Sequence, residues 1–363
     1  MNRLSAIDAL GPAFARVNTM LFKPFRLGTW LKMGFIGILG GGVATFNSNF
    51  NFRAPVMPRQ FPRDQLPKDP WADIQSALRS IHLADYLHII LIAVVVLVVI
   101  SLVFLYLFCR FRFVLFDAVV GGQAFISRGW RRYAAQANRY FGFWLAYRVV
   151  NWAVMALIVG LPLWHAYQRG VFSGDNSLIA LFEVLASIAL GAIAAGIVFG
   201  IISTLAKDFL MPVMALDDFT PGDAWSSLWR VIASEPGAWA GYIGMKVICS
   251  VGAGIGLAIA MIIAILPAML IIGIPAGILV VLGVVVVKAA GAIGFIIFGI
   301  AGLLVAAGLC CLYLLLTAPV TVFFASYAFY FFGGRYPKLA ALLWPQPISP
   351  APTPQMTQTQ PVV

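Results

Sequence analysis

Apolar residues in this chain run in long unbroken stretches rather than alternating with polar ones. The clearest stretch is Tyr86 to Cys109, centred on IAVVVLVVIS. A run of about 20 uncharged apolar residues matches the hydrocarbon thickness of a bilayer. Similar runs are read at Gly28 to Phe46, Phe141 to Ala166 and Leu178 to Ala206. Gly40, Gly41 and Gly42 predict a kink in the first. From Trp239 to Gly333 the chain is one apolar tract of 95 residues, interrupted only by Lys246 and Lys288. That is too long for two simple spans and leaves almost no loop for four. Pro267, Pro275 and the glycines around them suggest two spans with an embedded, non-spanning middle.

Between the runs the pattern changes period. Ile7, Leu10, Phe14, Val17 and Leu21 recur at steps of three and four, which predicts an amphipathic helix over Ser5 to Leu21. Ser5 and Asp8 have capping-box spacing. With Lys23 and Arg26 behind it, the helix suits the headgroup plane. Thr220-Pro221-Gly222-Asp223 is a second strong helix start, with Thr as N-cap and Pro at the first helical position. Trp225, Leu228, Trp229 and Ile232 then line one face. Residues 47–85 hold five prolines and mixed charge and read as an extramembrane loop, with a short helix at Trp71 to Ile81. Residues 110–140 and 207–238 read as connectors, the first of them strongly basic. The Pro/Gln/Thr-rich tail, 345–363, reads as disordered.

The pattern repeats about every 100 residues. Phe113-Val114-Leu115-Phe116-Asp117, Met211-Pro212-Val213-Met214-Ala215 and Pro319-Val320-Thr321-Val322-Phe323-Phe324 each follow an even-numbered span. Gly11-Pro12-Ala13-Phe14 with Arg16, Pro24 and Trp30 is echoed by Pro221-Gly222-Asp223-Ala224-Trp225 with Arg230, Pro236 and Trp239; Gly129-Trp130-Arg131 is a weaker copy. Each unit would be an interfacial helix, a span, a return span and an extended exit segment. The expected fold is all-α and polytopic: about six spans in three helical hairpins, forming a single transmembrane domain over 1–344.

Composition agrees with membrane burial. The chain is 62% hydrophobic and 10% charged, against about half and about a quarter for soluble domains. The net charge of +11 raises nucleic acid as a partner, but the basic residues flank apolar runs instead of forming one patch. They act as an orientation signal. The N-terminal segment, both connectors and the tail carry 14 of the 24 Lys and Arg residues, and the opposite loops carry seven. The positive-inside rule then places both termini in the cytoplasm. The first apolar run arrives only near Trp30, so the first span is expected to act as the insertion signal. Cys109, Cys249, Cys310 and Cys311 lie in or beside apolar runs and are read as packing residues, not as disulfides or zinc ligands.

The segments PAFARVNTMLFKPFRLGTWLKMGF, FLMPVMALDDFTPGDAWSSLWRVI and PVTVFFASYAFYFFGGRYPKL resemble uncharacterised bacterial multi-pass proteins. That group is similar to the membrane domain beside some glycerophosphoryl diester phosphodiesterases and to YciC-like inner-membrane proteins. The resemblance covers roughly residues 6 to 345. It implies a six-helix fold in the bacterial inner membrane and no established activity. The phosphodiesterase domain and its acidic and histidine cluster have no counterpart here, so no catalytic residue is carried over.

Candidate chemistry is sparse. His82, His88 and His165 lack compact metal spacing, and only Asp85 offers the first two a nearby acidic partner. Asp217, Asp218 and Asp223 cluster, but Asp223 has a capping role and the other two read as solvated at the membrane surface. Lys32, Arg148 and Lys246 fall early in odd-numbered spans, where snorkelling to the headgroups accounts for them. Arg148 and Glu183 differ in depth by roughly 10 Å, too far for a pair. Glu183 and Lys288 sit toward the opposite half and would mark a polar pathway if paired. Arg128, Arg131 and Arg132 are candidate contacts to anionic lipid. Ala192, Gly196 and Gly200, and Gly252, Gly256 and Ala260, have the small-residue spacing of close helix contact. The chain is therefore expected to be a membrane scaffold without enzymatic activity. Its partners would be membrane lipids and either another protein or a second copy, with no nucleic acid, cofactor or metal. The alternative is a transporter or flippase-like protein.

Overall fold

A computed structural model describes residues 4–41, 83–171, 177–268 and 292–344, together with positions 270, 274, 277 and 278. The predicted helix at 71–81, His82, Pro275, Lys288 and the tail from 345 lie outside the described residues. The described chain is helical throughout: α1 (Leu10–Leu21), α2 (Leu27–Leu39), α3 (Leu83–Gly121), α4 (Ile126–Arg132), α5 (Ala134–Gln168) and α6 (Ser177–Leu205). A π-turn (Ala206–Leu210) joins α6 directly to α7 (Met211–Asp217). Then come α8 (Pro221–Ser234), α9 (Pro236–Ala268), α10 (Ala292–Gly333) and α11 (Pro337–Leu343).

Five stretches are long and apolar enough to cross a membrane: His88–Gly121, Ala134–Gln168, Ile179–Asp217, Pro236–Ala264 and Val305–Gly333. At most 22% of the most apolar window of any of them is buried. Val94 to Ile100 on α3 and Ile255, Ile259, Ile262 and Ile263 on α9 all face outward. Side chains of this kind gain nothing from water, so hydrocarbon is the medium that suits them.

The packed body lies where the spans run on past their most apolar segments. Phe113 and Phe116 of α3, Tyr140 of α5, Phe209 of the π-turn, Tyr242 of α9, and Tyr327 and Phe331 of α10 are buried together. Their rings meet edge-on and stacked, as in Phe113–Tyr140 and Tyr242–Tyr327. α1 and α2 pack along α10, α3 packs against α2, α4 and α5, and α5 packs along α6. Gly34 and Gly37 make the α2–α10 approach possible, because a Cβ at Gly34 would overlap the Leu314 carbonyl and one at Gly37 the Thr321 side chain.

Several expectations are corrected. The exit segments at 113–117, 211–215 and 319–324 are helical, not extended. Away from water a continuing helix satisfies every N–H internally, and this outweighs the β-propensity of Val and Phe. Residues 110–121 and 134–140 of the expected first connector are likewise span ends, and 207–217 continues the fourth span. The first expected span is described as a helix of 13 residues, roughly 20 Å long, that stops at Gly40 before the left-handed Gly41 (φ +67°). Cys310 and Cys311 are exposed and not packed within the chain. Gly252 and Gly256 have nothing within 4 Å of a built Cβ among the described residues, so no described helix packs closely there.

The helix expected over 5–21 starts at Leu10, and its N-cap, Ala9, has no side-chain cap, so the Ser5–Asp8 pair closes the turn before it, whereas the Thr220 cap forms as expected. Ser5 and Asp8 form a reciprocal box: the Asp8 amide donates to Ser5 Oγ at 3.2 Å, and the Ser5 amide donates to Asp8 Oδ2 at 3.2 Å. Thr220 Oγ1 accepts from the Asp223 amide at 3.3 Å.

Candidate functional site

The long helix α3 carries Arg112 past the apolar run into the packed body, where it is 4% exposed. Its Nε and Nη2 donate to the Lys207 carbonyl at 3.0 and 2.9 Å, and Nη1 donates to the Gly40 carbonyl at 3.2 Å. Nη2 also reaches Asp208 Oδ1 at 3.1 Å. Asp208 is 2% exposed. Its Oδ2 accepts from the Tyr242 hydroxyl at 2.9 Å and from the Lys246 ammonium. One carboxylate thus holds two buried cations and ties α3, the π-turn and α9 together. The π-turn breaks the ordinary helical ladder at this point, and the Lys207 carbonyl serves Arg112. Tyr140 fastens α5 to the same turn by donating to the Ala206 carbonyl at 3.1 Å.

Lys207, next in sequence to Asp208, is also buried, and its ammonium lies 5.5 Å from the Trp144 ring centroid. Among the described residues it has no hydrogen bond or ion pair. It lines a cavity of about 530 Å³ between α2, α3, α5 and the π-turn, together with Arg148, Asn151 and Ser203. The rest of the wall includes Ile38, Ile100 and Phe104. No acidic residue is among the described residues that line it. Among the described residues the cluster and the cavity together hold four basic side chains, Arg112, Lys207, Lys246 and Arg148, against the one carboxylate of Asp208.

Lys246 does not snorkel; it is 1% exposed and paired with Asp208, whose carboxylate neutralises it inside the packed body. Arg148 is exposed toward the cavity. Glu183 is exposed on α6 and does not line the cavity. Lys32 is exposed beside Thr29 and Lys23 in a separate groove at the α1–α2 turn. His88 and His165 are exposed at separate helix positions, and among the described residues no three His, Cys, Asp or Glu side chains form a metal-binding group.

On α4, Arg128 and Arg132 flank the buried carboxylate of Asp117 at 3.7 and 3.6 Å, yet both remain more than half exposed. Arg131 is exposed too. The expectation of a solvated Asp217 is corrected: its side chain is 8% exposed and paired with Lys338. Asp218 is exposed as expected; it adopts the left-handed C-cap conformation of α7 (φ 54°) and pairs with Arg139.

Sequence reasoning missed the buried cluster because it assigned Arg112 and Asp208 to connectors. A signal was present: Lys207-Asp208 stands between the apolar runs ending at Ala206 and beginning at Phe209. A charge pair inside otherwise continuous apolar sequence is a candidate site by default.

No protein among the curated sequences and no solved structure matches the chain. A family of unknown function (DUF7544) matches residues 4–342. With nearly the whole described fold inside that match, the chain belongs to this family.

Proposed function

We propose that the chain is a non-enzymatic scaffold of the bacterial inner membrane that gathers anionic lipid at a basic, cytoplasmic face. It crosses the bilayer six times as three helical hairpins, with α2 in the first span. The recurring order of a short helix followed by two apolar helices (α1–α2–α3, α4–α5–α6, α8–α9–α10) supports this arrangement. The excess of Lys and Arg on the connectors supports the orientation.

The observation that carries the lipid reading is the exposure of Arg128, Arg131 and Arg132 on one short helix at the ends of the spans, where Asp117 pairs with Arg128 and Arg132 and is the only acidic partner among the described residues. Each such cation near an anionic surface contributes about 1 kcal/mol. The test is native mass spectrometry of detergent-purified protein exposed to phosphatidylglycerol. Arg128→Gln/Arg131→Gln/Arg132→Gln is expected to carry fewer lipid adducts than wild type, most clearly at low salt. An unchanged adduct distribution removes the reading. The alternative, a transport pathway at Glu183 and Lys288, draws no support from the cavity, which Glu183 does not reach.

A further inference from the structure

Lys207 presents an unusual balance of charge. Its side chain is buried, yet both oxygens of the neighbouring Asp208 are already engaged by Arg112, Tyr242 and Lys246. Its ammonium therefore faces the cavity without an acceptor among the described residues. Arg148 lines the same cavity and likewise has no ion pair among them. Asn151 Oδ1 is buried there without a hydrogen bond. Turning that amide over would offer its NH2 as a donor instead, since the two ends are exchangeable in shape. Ser203 Oγ, on the same wall, donates its one proton to the Gly200 carbonyl at 3.0 Å and would serve an anion only by rotating away from it.

The cavity's depth sharpens the imbalance. Ile100 to Phe108, which contribute its α3 wall, form the last part of the apolar run that begins near His88. At 1.5 Å per residue the site lies in the half of the hydrocarbon layer nearest the arginine-bearing helix ends. Unpaired cations at that depth are costly, and an incoming anion removes much of the cost. Apart from Gly41 and Ser101 the remaining wall is aliphatic and aromatic, which suits a hydrocarbon chain rather than a fully hydrated ion. A volume of about 530 Å³ is ordinary for a small-ligand site and accommodates a headgroup with part of a chain.

We propose that this cavity binds a phosphate-type oxyanion, held between Lys207 and Arg148, with the apolar wall receiving the acyl chain when the oxyanion is a lipid headgroup. The site is separate from the arginines of α4 and does not depend on their role.

The experiment uses the full chain purified in a neutral maltoside detergent. Binding of dioleoyl phosphatidylglycerol, of the matching phosphatidylcholine and of inorganic phosphate is followed by native mass spectrometry and by thermal unfolding. Wild type is expected to retain one phosphatidylglycerol through washing that strips phosphatidylcholine. Arg148→Gln and Lys207→Gln should each weaken that retention about tenfold, the scale of one lost charge-assisted contact. Lys207→Arg should preserve it, and Arg128→Gln/Arg131→Gln/Arg132→Gln should leave it intact. Arg148 is exposed, so Arg148→Gln keeps the test open even if Lys207→Gln fails to fold.

If inorganic phosphate raises the unfolding temperature of wild type and not of Arg148→Gln, while no lipid is retained, the occupant is a free oxyanion and the site stands. If Arg148→Gln alters neither the lipid nor the phosphate response, the proposal is overturned. Loss of lipid adducts only in the α4 triple variant would then uphold the surface reading without the cavity.

Discussion

Asp208 neutralises two buried cations at once, and this makes it the most sensitive residue of the packed body. Asp208→Asn would leave Arg112 and Lys246 facing each other in a site with almost no water. Breaking a buried pair in this way costs about 3–5 kcal/mol. Thermal unfolding in detergent should show a correspondingly large loss. Lys246→Met should cost less, because Arg112 still satisfies the carboxylate; equal losses would show that the Arg112 contact contributes little. At the N-terminus, the Ser5 hydroxyl and then its amide hold the Asp8 carboxyl below the usual carboxylate range. A lowered native pKa means that the box stabilises the turn above the unfolded carboxylate pKa and is lost as pH falls through the lowered value. Ser5→Ala should move Asp8 back up in an NMR titration of its side-chain carbon, and a titration curve identical to wild type would exclude the box in solution.

Among the helices, close approach is decided by what stands opposite each glycine. Gly34 on α2 faces the Leu314 backbone carbonyl, which cannot rotate away. Gly34→Ala is therefore expected to push α2 off α10 and lower stability by about 1–3 kcal/mol. Gly252 on α9 has open space around it. Gly252→Ala should be neutral, or stabilising by up to about 1 kcal/mol through helix propensity. Unfolding temperatures of the two variants, measured side by side, should move in opposite directions or differ clearly in size. The spacing Gly252, Gly256, Ala260 looks the same on paper as a contact motif, and only the neighbour's position separates the two cases. The π-turn is a second element that spacing could not reveal. It keeps α6 and α7 continuous while setting Lys207 at the cavity wall and Asp208 in the ion cluster.

The whole molecule divides into a packed end and a lipid-facing end. Aromatic and ionic contacts concentrate where the short helices meet the ends of the long ones, and Arg16 links α1 to this region by donating to the carbonyls of Val119 and Val120. Arg335 does the same for α10, reaching Glu235 at 3.1 Å and the Leu4 carbonyl at 3.0 Å. The proposed six spans, with both termini in the cytoplasm, predict that reporters fused after Gly174 and Gly273 read as periplasmic, and one fused after Val363 as cytoplasmic. A cytoplasmic signal after Gly273 would require a different path through the last apolar tract.

Hydrophobic run length alone was enough to establish a helical membrane protein, because hydrocarbon thickness sets a residue count that the sequence must meet. The Thr220–Asp223 cap and the Ser5–Asp8 hydrogen-bond pair were equally legible, since each is a contact between residues three apart, although the latter closes a turn and does not cap the helix. The Arg112–Asp208–Lys246 cluster and the cavity beside it were decided by tertiary structure. Their members come from three helices separated by 96 and 38 positions, and no local pattern states which cation a buried carboxylate will meet. Arg112 and Asp208 read as connector residues because charge ordinarily marks the edge of a span. Packing kept the helices going and folded those charges inward, where low polarity makes their pairing obligatory.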